Sequence, residues 1–295
     1  MRRWLTAMAL GGVMAVALAG CGTPGGVDGV LTDDWAALGE PKPFLPAAKI
    51  CHQRWDDTGY VSVYNPSDCA ASHVLETVHV GTFTAEHAAR ATPPPAGSPA
   101  ARAAYAECDK KATEFVGAEW RGTRLELSVV IASEHAWSGG GRWFRCDLGE
   151  MDNLDDGARV TRTSSLAGAA AGASPLAYGC FEPKIVKDRV ERMEPIGCDK
   201  PHHSEYVGIY TAPDITWESL VKDSDRTHKG CLDVVASYAK VPRNTAKYRA
   251  GTIIYPPNEQ AWSAGNRGVQ CFLWRSAPLL TRSVQGGGDK VLPLR

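Results

Sequence analysis

The residues best suited to chemistry are a histidine and a glutamate three positions apart, and this pair occurs twice. His73 precedes Glu76, and His202 precedes Glu205. A His and a carboxylate at this spacing are able to share a metal ion, or to act as a base and its orienting partner. In a β-strand, however, residues i and i+3 point to opposite faces, which favours a structural role beside a cysteine. His203 has no counterpart in the first pair, which weakens the metal interpretation.

A second candidate is an indole and a guanidinium five positions apart. Trp137 and Arg142 form one such pair, and Trp262 and Arg267 form the other. In both, a Glu stands three residues before the Trp and a Cys nine residues after it. When exposed, such a pair offers a cation–π platform for a sugar or a peptide. When buried it braces a turn, which is the commoner case, so both roles stay open.

The sequence contains no familiar catalytic motif. It lacks Gly-x-Ser-x-Gly, His-Glu-x-x-His, a phosphate-binding Gly-rich loop and the full motif set of penicillin-recognising enzymes. We therefore predict no catalytic residue, no cofactor and no metal, and we expect a protein that is not an enzyme.

Eight cysteines fall into two matching sets. Their separations are 18, 39 and 38 residues in the first set, and 18, 33 and 40 in the second. The second cysteine of each set is followed by a His at plus four and a Glu at plus seven. Together with the repeated Trp/Arg element, this predicts two tandem copies of one four-cysteine domain. The cysteines are Cys51, Cys69, Cys108 and Cys146, then Cys180, Cys198, Cys231 and Cys271.

The N-terminus has the pattern of a bacterial lipoprotein signal peptide. Two arginines precede an apolar run over residues 4–19 that is short for a bilayer span. The run ends in Leu18-Ala19-Gly20-Cys21, a lipobox, in which the cysteine becomes diacylated and N-terminal after cleavage. Two acyl chains suffice for stable anchoring. We predict a lipoprotein carrying diacylglycerol and palmitate on Cys21, held on the extracytoplasmic face of the cell membrane.

That oxidising location favours two disulfides per copy. Four cysteines allow three pairings. An 18-residue spacing suits a pair of strands, and a cysteine on a helix needs a partner in the sheet. Thiolate–zinc binding is the alternative, but the chain has no Cys-x2-Cys. The favoured pairs are Cys51 with Cys69, Cys108 with Cys146, Cys180 with Cys198, and Cys231 with Cys271.

Length and composition agree with a two-domain protein. The 295 residues allow two domains of about 100 to 130 residues, each with its own core. A formal net charge of −1 and a pI near 6.7 argue against nucleic acid as a partner. The predicted segments are a signal peptide (1–20), a flexible tether (21–40), repeat 1 (41–152), a linker (153–178), repeat 2 (179–283) and a C-terminal tail (284–295).

The secondary-structure pattern in each copy is strands, a helix, then strands. Ser98 and Gly117 bracket a predicted helix bearing Cys108, and Thr216 begins a helix that bears Cys231. We predict strands over 59–64, 74–83, 125–131, 205–210 and 251–255. The predicted fold class is α+β, with two tandem disulfide-stapled domains, each a small, mostly antiparallel sheet with one main helix.

These motifs resemble the septum-formation domain family of high-GC Gram-positive bacteria. The second copy carries Gly179-Cys180-Phe181, then Pro201-His202 with Glu205-Tyr206-Val207, and finally Pro257 through Trp262, Gly265 and Arg267 to Cys271. The first copy departs at Ser72, which replaces the Pro before His73, and at Ala132, which replaces the closing Pro. The resemblance implies a role in cell division or envelope assembly and no defined activity.

We therefore expect a non-catalytic binding or scaffold protein of the cell envelope, with cell-wall polymer or division proteins as partners. The alternatives are a wall-acting enzyme that uses the His/Glu pairs, and a ligand-binding sensor that uses the Trp/Arg turns.

Overall fold

A computed structural model describes residues 42–56 and 58–295 of the chain. The predicted signal peptide (1–20), the lipidation site Cys21 and the tether (21–40) lie outside the described residues. Within the described ranges, no helix combines the length and the apolar character needed to cross a bilayer.

Each copy builds one five-stranded antiparallel sheet. The strands of the first sheet are β1 (Ile50–His52), β2 (Pro66–Ser67), β3 (Leu75–Thr82), β4 (Leu125–Ile131) and β5 (Trp143–Glu150). Those of the second sheet are β6 (Cys180–Val186), β7 (Arg189–Ile196), β8 (Ser204–Thr211), β9 (Gly251–Tyr255) and β10 (Gly268–Trp274). The first sheet has the order β2-β1-β3-β5-β4, and the second has the corresponding order β7-β6-β8-β10-β9. Two sheet-bearing domains confirm the α+β class.

Helices cover one face of each sheet. The α-helices are α1 (Ala85–Ala88), α2 (Pro99–Val116), α3 (Glu134–Ser138), α4 (Trp217–Lys222), α5 (Ser224–Ala239), α6 (Glu259–Ala264) and α7 (Gly288–Val291). Shorter 3-10 helices span Val61–Val63, Trp120–Gly122 and Arg243–Tyr248. The main helices α2 and α5 each place a fully buried cysteine against the sheet.

The ends of the main helices follow from their capping residues. The Ser98 hydroxyl accepts a hydrogen bond from the Ala101 amide, and Gly117 ends α2 with φ of 87°. The Thr216 side chain caps its helix as predicted, by accepting from the Ser219 amide. The predicted single helix is nevertheless two, because α4 ends at Lys222 and Asp223 caps a new helix, α5.

Four disulfides have the pairing that the cysteine spacing favoured. Two join the first two cysteines of a copy, across 18 residues, and two join a main helix to the sheet, across 38 and 40 residues. The S–S bonds of the helix–sheet pair link Cys108 to Cys146 and Cys231 to Cys271. In the chain-entropy view, closing a loop of this length contributes about 4 kcal/mol.

The two segments predicted as linker and tail are packed parts of the domains. Leu166 and Leu176, from the Ala/Gly/Ser-rich linker region, are buried in the core of the first copy. Val284 and Leu292, from the C-terminal tail, are buried in the core of the second. The Ala/Gly/Ser composition predicted a linker in the first segment, whereas apolar residues of both segments are buried in the cores.

The predicted strand over 59–64 is wrong. Val61–Val63 is a 3-10 helix, with Tyr60 and Val61 about half exposed, and the strand is the short β2 that follows. Gly59 passes so close to the first sheet that a Cβ there would lie 1.9 Å from the carbonyl oxygen of Ile131. Because of this close approach, residues 61–63 form a 3-10 helix and do not pair with the sheet, although their alternating apolar and polar side chains are typical of a strand.

Candidate functional site

The two His/Glu pairs hold the segment that follows the last strand of each copy. Glu76 accepts hydrogen bonds from the Ser165 hydroxyl at 2.8 Å and the Leu166 amide at 2.6 Å. Glu205 accepts from the Ser283 hydroxyl and from the Val284 amide at 2.8 Å. Each carboxylate therefore contacts a Ser followed by an apolar residue. We call the segments 162–166 and 280–284 the straps.

The histidines contact the same straps through their backbones. His73 exchanges two backbone hydrogen bonds with Arg162, of 2.9 and 2.7 Å, and His202 does the same with Leu280, at 2.9 and 3.0 Å. In each ring, Nδ1 donates to a backbone carbonyl two residues earlier, which leaves Nε2 buried and without a hydrogen-bond partner among the described residues. The four motif residues thus form two matching clamps.

The glutamates lie beside the first disulfide of each copy. Sγ atoms of Cys51 and Cys69 lie within 4.8 Å of a Glu76 oxygen, and the Cys180, Cys198 and Glu205 atoms repeat this arrangement. Both sulfurs are oxidised in each case, so they are not thiolate donors. The clamp and the disulfide together fix one corner of the sheet.

The Trp/Arg pairs are buried braces. Trp137 and Trp262 are 1% and 3% exposed. Their ring nitrogens donate to the carbonyl oxygens of Arg90 and Ile215, respectively. The guanidinium carbons of Arg142 and Arg267 lie 4.3 and 4.1 Å from the indole centroids. The turn that each pair braces contains a short helix, α3 or α6, before its glycines.

The two copies meet around one buried arginine. The Nε of Arg121 donates to Asn266 Oδ1 across the repeat boundary at 3.0 Å, and its backbone carbonyl accepts from Gln270 at 2.8 Å. Its Nη1 pairs with Asp109 and Glu119 at 2.7 and 2.9 Å. A Cβ on Gly268 would lie 2.6 Å from Arg121 Cδ, so glycine is what admits this side chain.

A polar cleft of about 410 Å³ opens along this boundary. Both copies contribute aromatic side chains to its walls, the second copy adds the amides of Asn258 and Gln270, and an acidic loop with Asp155 and Asp156 forms its rim. Tyr255 donates its hydroxyl to Asp155, whose second oxygen accepts from the Met193 amide at 2.9 Å. Burial raises the pKa of Tyr178 to about 12, so this phenol stays neutral and able to donate. We call this opening the inter-repeat cleft.

A comparison with known families decides the family of this chain. The family described as septum formation matches residues 50–271, from the first strand of the first copy to the last core cysteine of the second. This chain belongs to the septum-formation family. No curated protein and no solved structure matches it.

This septum-formation protein also contains a buried polar network in its first copy only. His52 Nε2 lies 2.9 Å from Thr77 Oγ1, Thr77 donates to Asp147 at 2.6 Å, and Asp147 pairs with Arg145 at 2.8 Å. Because the single hydroxyl hydrogen of Thr77 goes to Asp147, Nε2 of His52 is the donor to Thr77. Burial and the Arg145 charge lower the pKa of His52 to about 4.

The Asp147 carboxyl shows the opposite effect. Burial raises its pKa to about 6, although Arg145 and the Thr77 hydroxyl favour the ionised form. In the second copy of the septum-formation unit, Phe181, Tyr206 and Phe272 take the places of His52, Thr77 and Asp147. The ring centroid of Phe272 lies 5.4 Å from those of Phe181 and Tyr206. Sequence reasoning missed this network. An alignment of the two copies shows the difference, because Cys51-His52 aligns with Cys180-Phe181 and Cys146-Asp147 aligns with Cys271-Phe272.

Proposed function

We propose that this member of the septum-formation family is a lipid-anchored, extracytoplasmic, non-catalytic binding or scaffold protein of the cell envelope, acting at the division septum. The observation that carries the proposal is a contrast within the structure. The repeated polar residues are consumed by internal contacts, whereas the inter-repeat cleft stays open with polar and aromatic walls.

The internal contacts explain the repeated residues without invoking turnover. His73 and His202 are buried, and their rings donate to nearby carbonyls. Glu76 and Glu205 accept from the straps. These residues repeat because each copy needs a His and a Glu to hold its strap in place. This structural role supports a scaffold over the alternative of a wall-acting enzyme.

The inter-repeat cleft has the composition of a recognition surface. Tyrosine, tryptophan and arginine supply much of the binding energy in protein interfaces, and sites between domains commonly bind ligands. Tyr178, Tyr255 and Gln270 are partly exposed in its walls, whereas Tyr105, Trp120 and Arg121 of the first copy line it as buried residues. A binding partner here contacts both copies at once, so its affinity depends on their mutual orientation. A division protein or a cell-wall polymer fits such a surface.

The predicted anchor and the disulfides support the same location. A lipobox ending at Cys21 predicts lipidation outside the cytoplasm, and four disulfides are typical of an oxidising compartment.

The test is complementation of a deletion strain, with septum spacing scored by microscopy. Asp156→Trp adds bulk at the exposed rim of the cleft, and Cys21→Ser removes the lipid acceptor. Glu86→Trp is the matched control, since it makes a similar change on the exposed surface of α1, away from the cleft.

We expect the wild type and Glu86→Trp to restore septation, and the other two variants to fail at equal protein levels. Normal septa in the deletion strain would contradict a role in septation. Full rescue by Asp156→Trp would show that the inter-repeat cleft is not the binding site, and full rescue by Cys21→Ser would show that the lipid anchor is not required.

A further inference from the structure

Arg275 is a buried cation without a counter-charge. It follows the last strand of the second sheet and is 2% exposed. Within residues 42–56 and 58–295, no side chain forms an ion pair or hydrogen bond with its guanidinium, and its Nε is fully buried and unpartnered. Burial and the neighbouring Arg295 lower the pKa of Arg275. An unpaired buried charge is costly, which indicates that a ligand completes the site.

A cavity of about 210 Å³ lies directly beside this side chain. Arg282 and Lys290 stand exposed at its rim, and Thr281 adds a hydroxyl. No carboxylate of the described chain lines it, and prolines and Leu280 form much of the remaining wall. The cavity is therefore cationic, and its volume of about 210 Å³ has room for a small anion.

The first copy has a carboxylate at the position equivalent to Arg275. Glu150 and Arg275 each stand four residues after the last cysteine of their copy. The Glu150 carboxylate is paired with Arg124 at 2.9 Å and with Arg162 of the first strap. In the first copy, a carboxylate thus sits between two guanidinium groups.

The second copy has lost that carboxylate and gained a cation. Arg249 is the counterpart of Arg124, since Val129 pairs with Cys146 as Ile254 pairs with Cys271. Arg249 already forms an ion pair with Asp289 at 2.7 Å, so it needs no additional anionic partner. Leu280 stands where the first strap has Arg162, so the Arg275 guanidinium occupies the position of Glu150 with no carboxylate lining the cavity beside it.

We propose that Arg275, with Arg282, Lys290 and Thr281, binds a phosphate group, either as free phosphate or as a phosphoester. Phosphate offers several acceptor oxygens to the donors that line this cavity, and arginine matches its geometry. Three cations around one small cavity suit a dianion better than a single carboxylate. The inference goes beyond the proposed septal function and does not rest on it.

The experiment is thermal unfolding of the full chain with increasing inorganic phosphate, against sodium chloride at matched ionic strength. The variant is Arg275→Gln, and Arg192→Gln is the control, because Arg192 is an exposed arginine of β7 outside the cavity. Phosphate should raise the melting temperature of the wild type and of the control saturably. Arg275→Gln should melt higher than the wild type without phosphate and require at least tenfold more phosphate.

Two further variants keep the test decisive. Arg282→Gln/Lys290→Gln alters exposed side chains, so it folds even if Arg275→Gln does not, and it should weaken the phosphate response several-fold. Arg275→Glu restores the carboxylate of the first copy and should abolish the response. An equal phosphate response in all variants, or none in the wild type, would overturn the site. Glycerol phosphate separates the sources: a stronger response than to inorganic phosphate assigns an ester, and a weaker one assigns the free ion.

Discussion

Glu76 accepts a 2.6 Å hydrogen bond from the backbone amide of Leu166, which lies 90 residues later in the chain. Its counterpart Glu205 accepts from Val284, 79 residues later. Both carboxylates are buried, so each ties a strand of its sheet to a strap that follows the last strand of the same copy.

Replacing either clamp glutamate should destabilise its own copy. Glu205→Gln turns one charged acceptor oxygen into an amide donor that faces the Val284 amide or the Ser283 hydroxyl. We expect a loss of about 1–3 kcal/mol in the free energy of unfolding, measured by urea denaturation. Glu218→Gln, an exposed change on α4, is the control and should cost under about 0.5 kcal/mol. Equal stability of the two variants would contradict the clamp.

The helix–sheet disulfides should matter more than the strand–strand disulfides. Cys231→Ala/Cys271→Ala opens a 40-residue loop and leaves a void in the core, since both cysteines are fully buried. We expect a loss of about 4 kcal/mol or more, against about 3 kcal/mol for Cys180→Ala/Cys198→Ala, which opens an 18-residue loop. Denaturant titration of both variants without reductant gives the comparison. A larger loss in the strand pair would contradict the ranking.

The polar network of the first copy should show opposing pH dependences. The His52 pKa of about 4 lies below its usual 6.5, so His52 reduces stability as the pH falls from 6.5 to 4. The Asp147 pKa of about 6 lies above its usual 3.8, so Asp147 reduces stability as the pH rises from 3.8 to 6. Between pH 4 and 6 the two slopes largely cancel.

Single variants of the network expose each slope. In Asp147→Asn the free energy of unfolding should fall as the pH drops from 6 to 4, by up to about 1.4 kcal/mol per pH unit. In His52→Gln it should rise over the same range. Denaturant titrations at pH 4, 5 and 6 measure both, with wild type as the reference. Slopes of the same sign in the two variants would show that the network does not titrate as described.

The boundary between the copies should depend on one glycine. Gly268→Ala places a methyl group 2.6 Å from Arg121 Cδ and should cost about 1–3 kcal/mol by displacing that side chain. Gly179→Ala is the control, because its nearest neighbour is a cysteine sulfur at 3.8 Å. Differential scanning calorimetry should show a lowered or split transition only for Gly268→Ala. A single unshifted transition would mean that the copies do not depend on Arg121.

Local signals predicted the elements whose causes are local. Ser98 and Gly117 mark the ends of α2 through capping, and the cysteine spacing predicts pairs that close within one copy. Prediction failed where distant contacts decide. The predicted strand at 59–64 does not form, because the chain at Gly59 passes close to the first sheet. The β6–β7 hairpin depends on positive φ at Lys187 and Asp188, where the sequence has no glycine to indicate a turn.

The candidate sites divide in the same way. Repetition drew attention to His73 and Trp137, whose structural roles recur in both copies. Arg275 and His52 were missed because their importance lies in a difference between the copies, and similarity was the signal used. Arg275 becomes conspicuous only when burial and the missing counter-charge are known.

The straps also show where the repeating unit ends. Both end in a serine followed by an apolar residue, and both donate to the equivalent glutamate of the copy they close. A unit that ended at its last cysteine would leave this carboxylate buried without these donors. The smallest self-sufficient unit of the fold therefore extends past the last cysteine, through the serine and the residue after it.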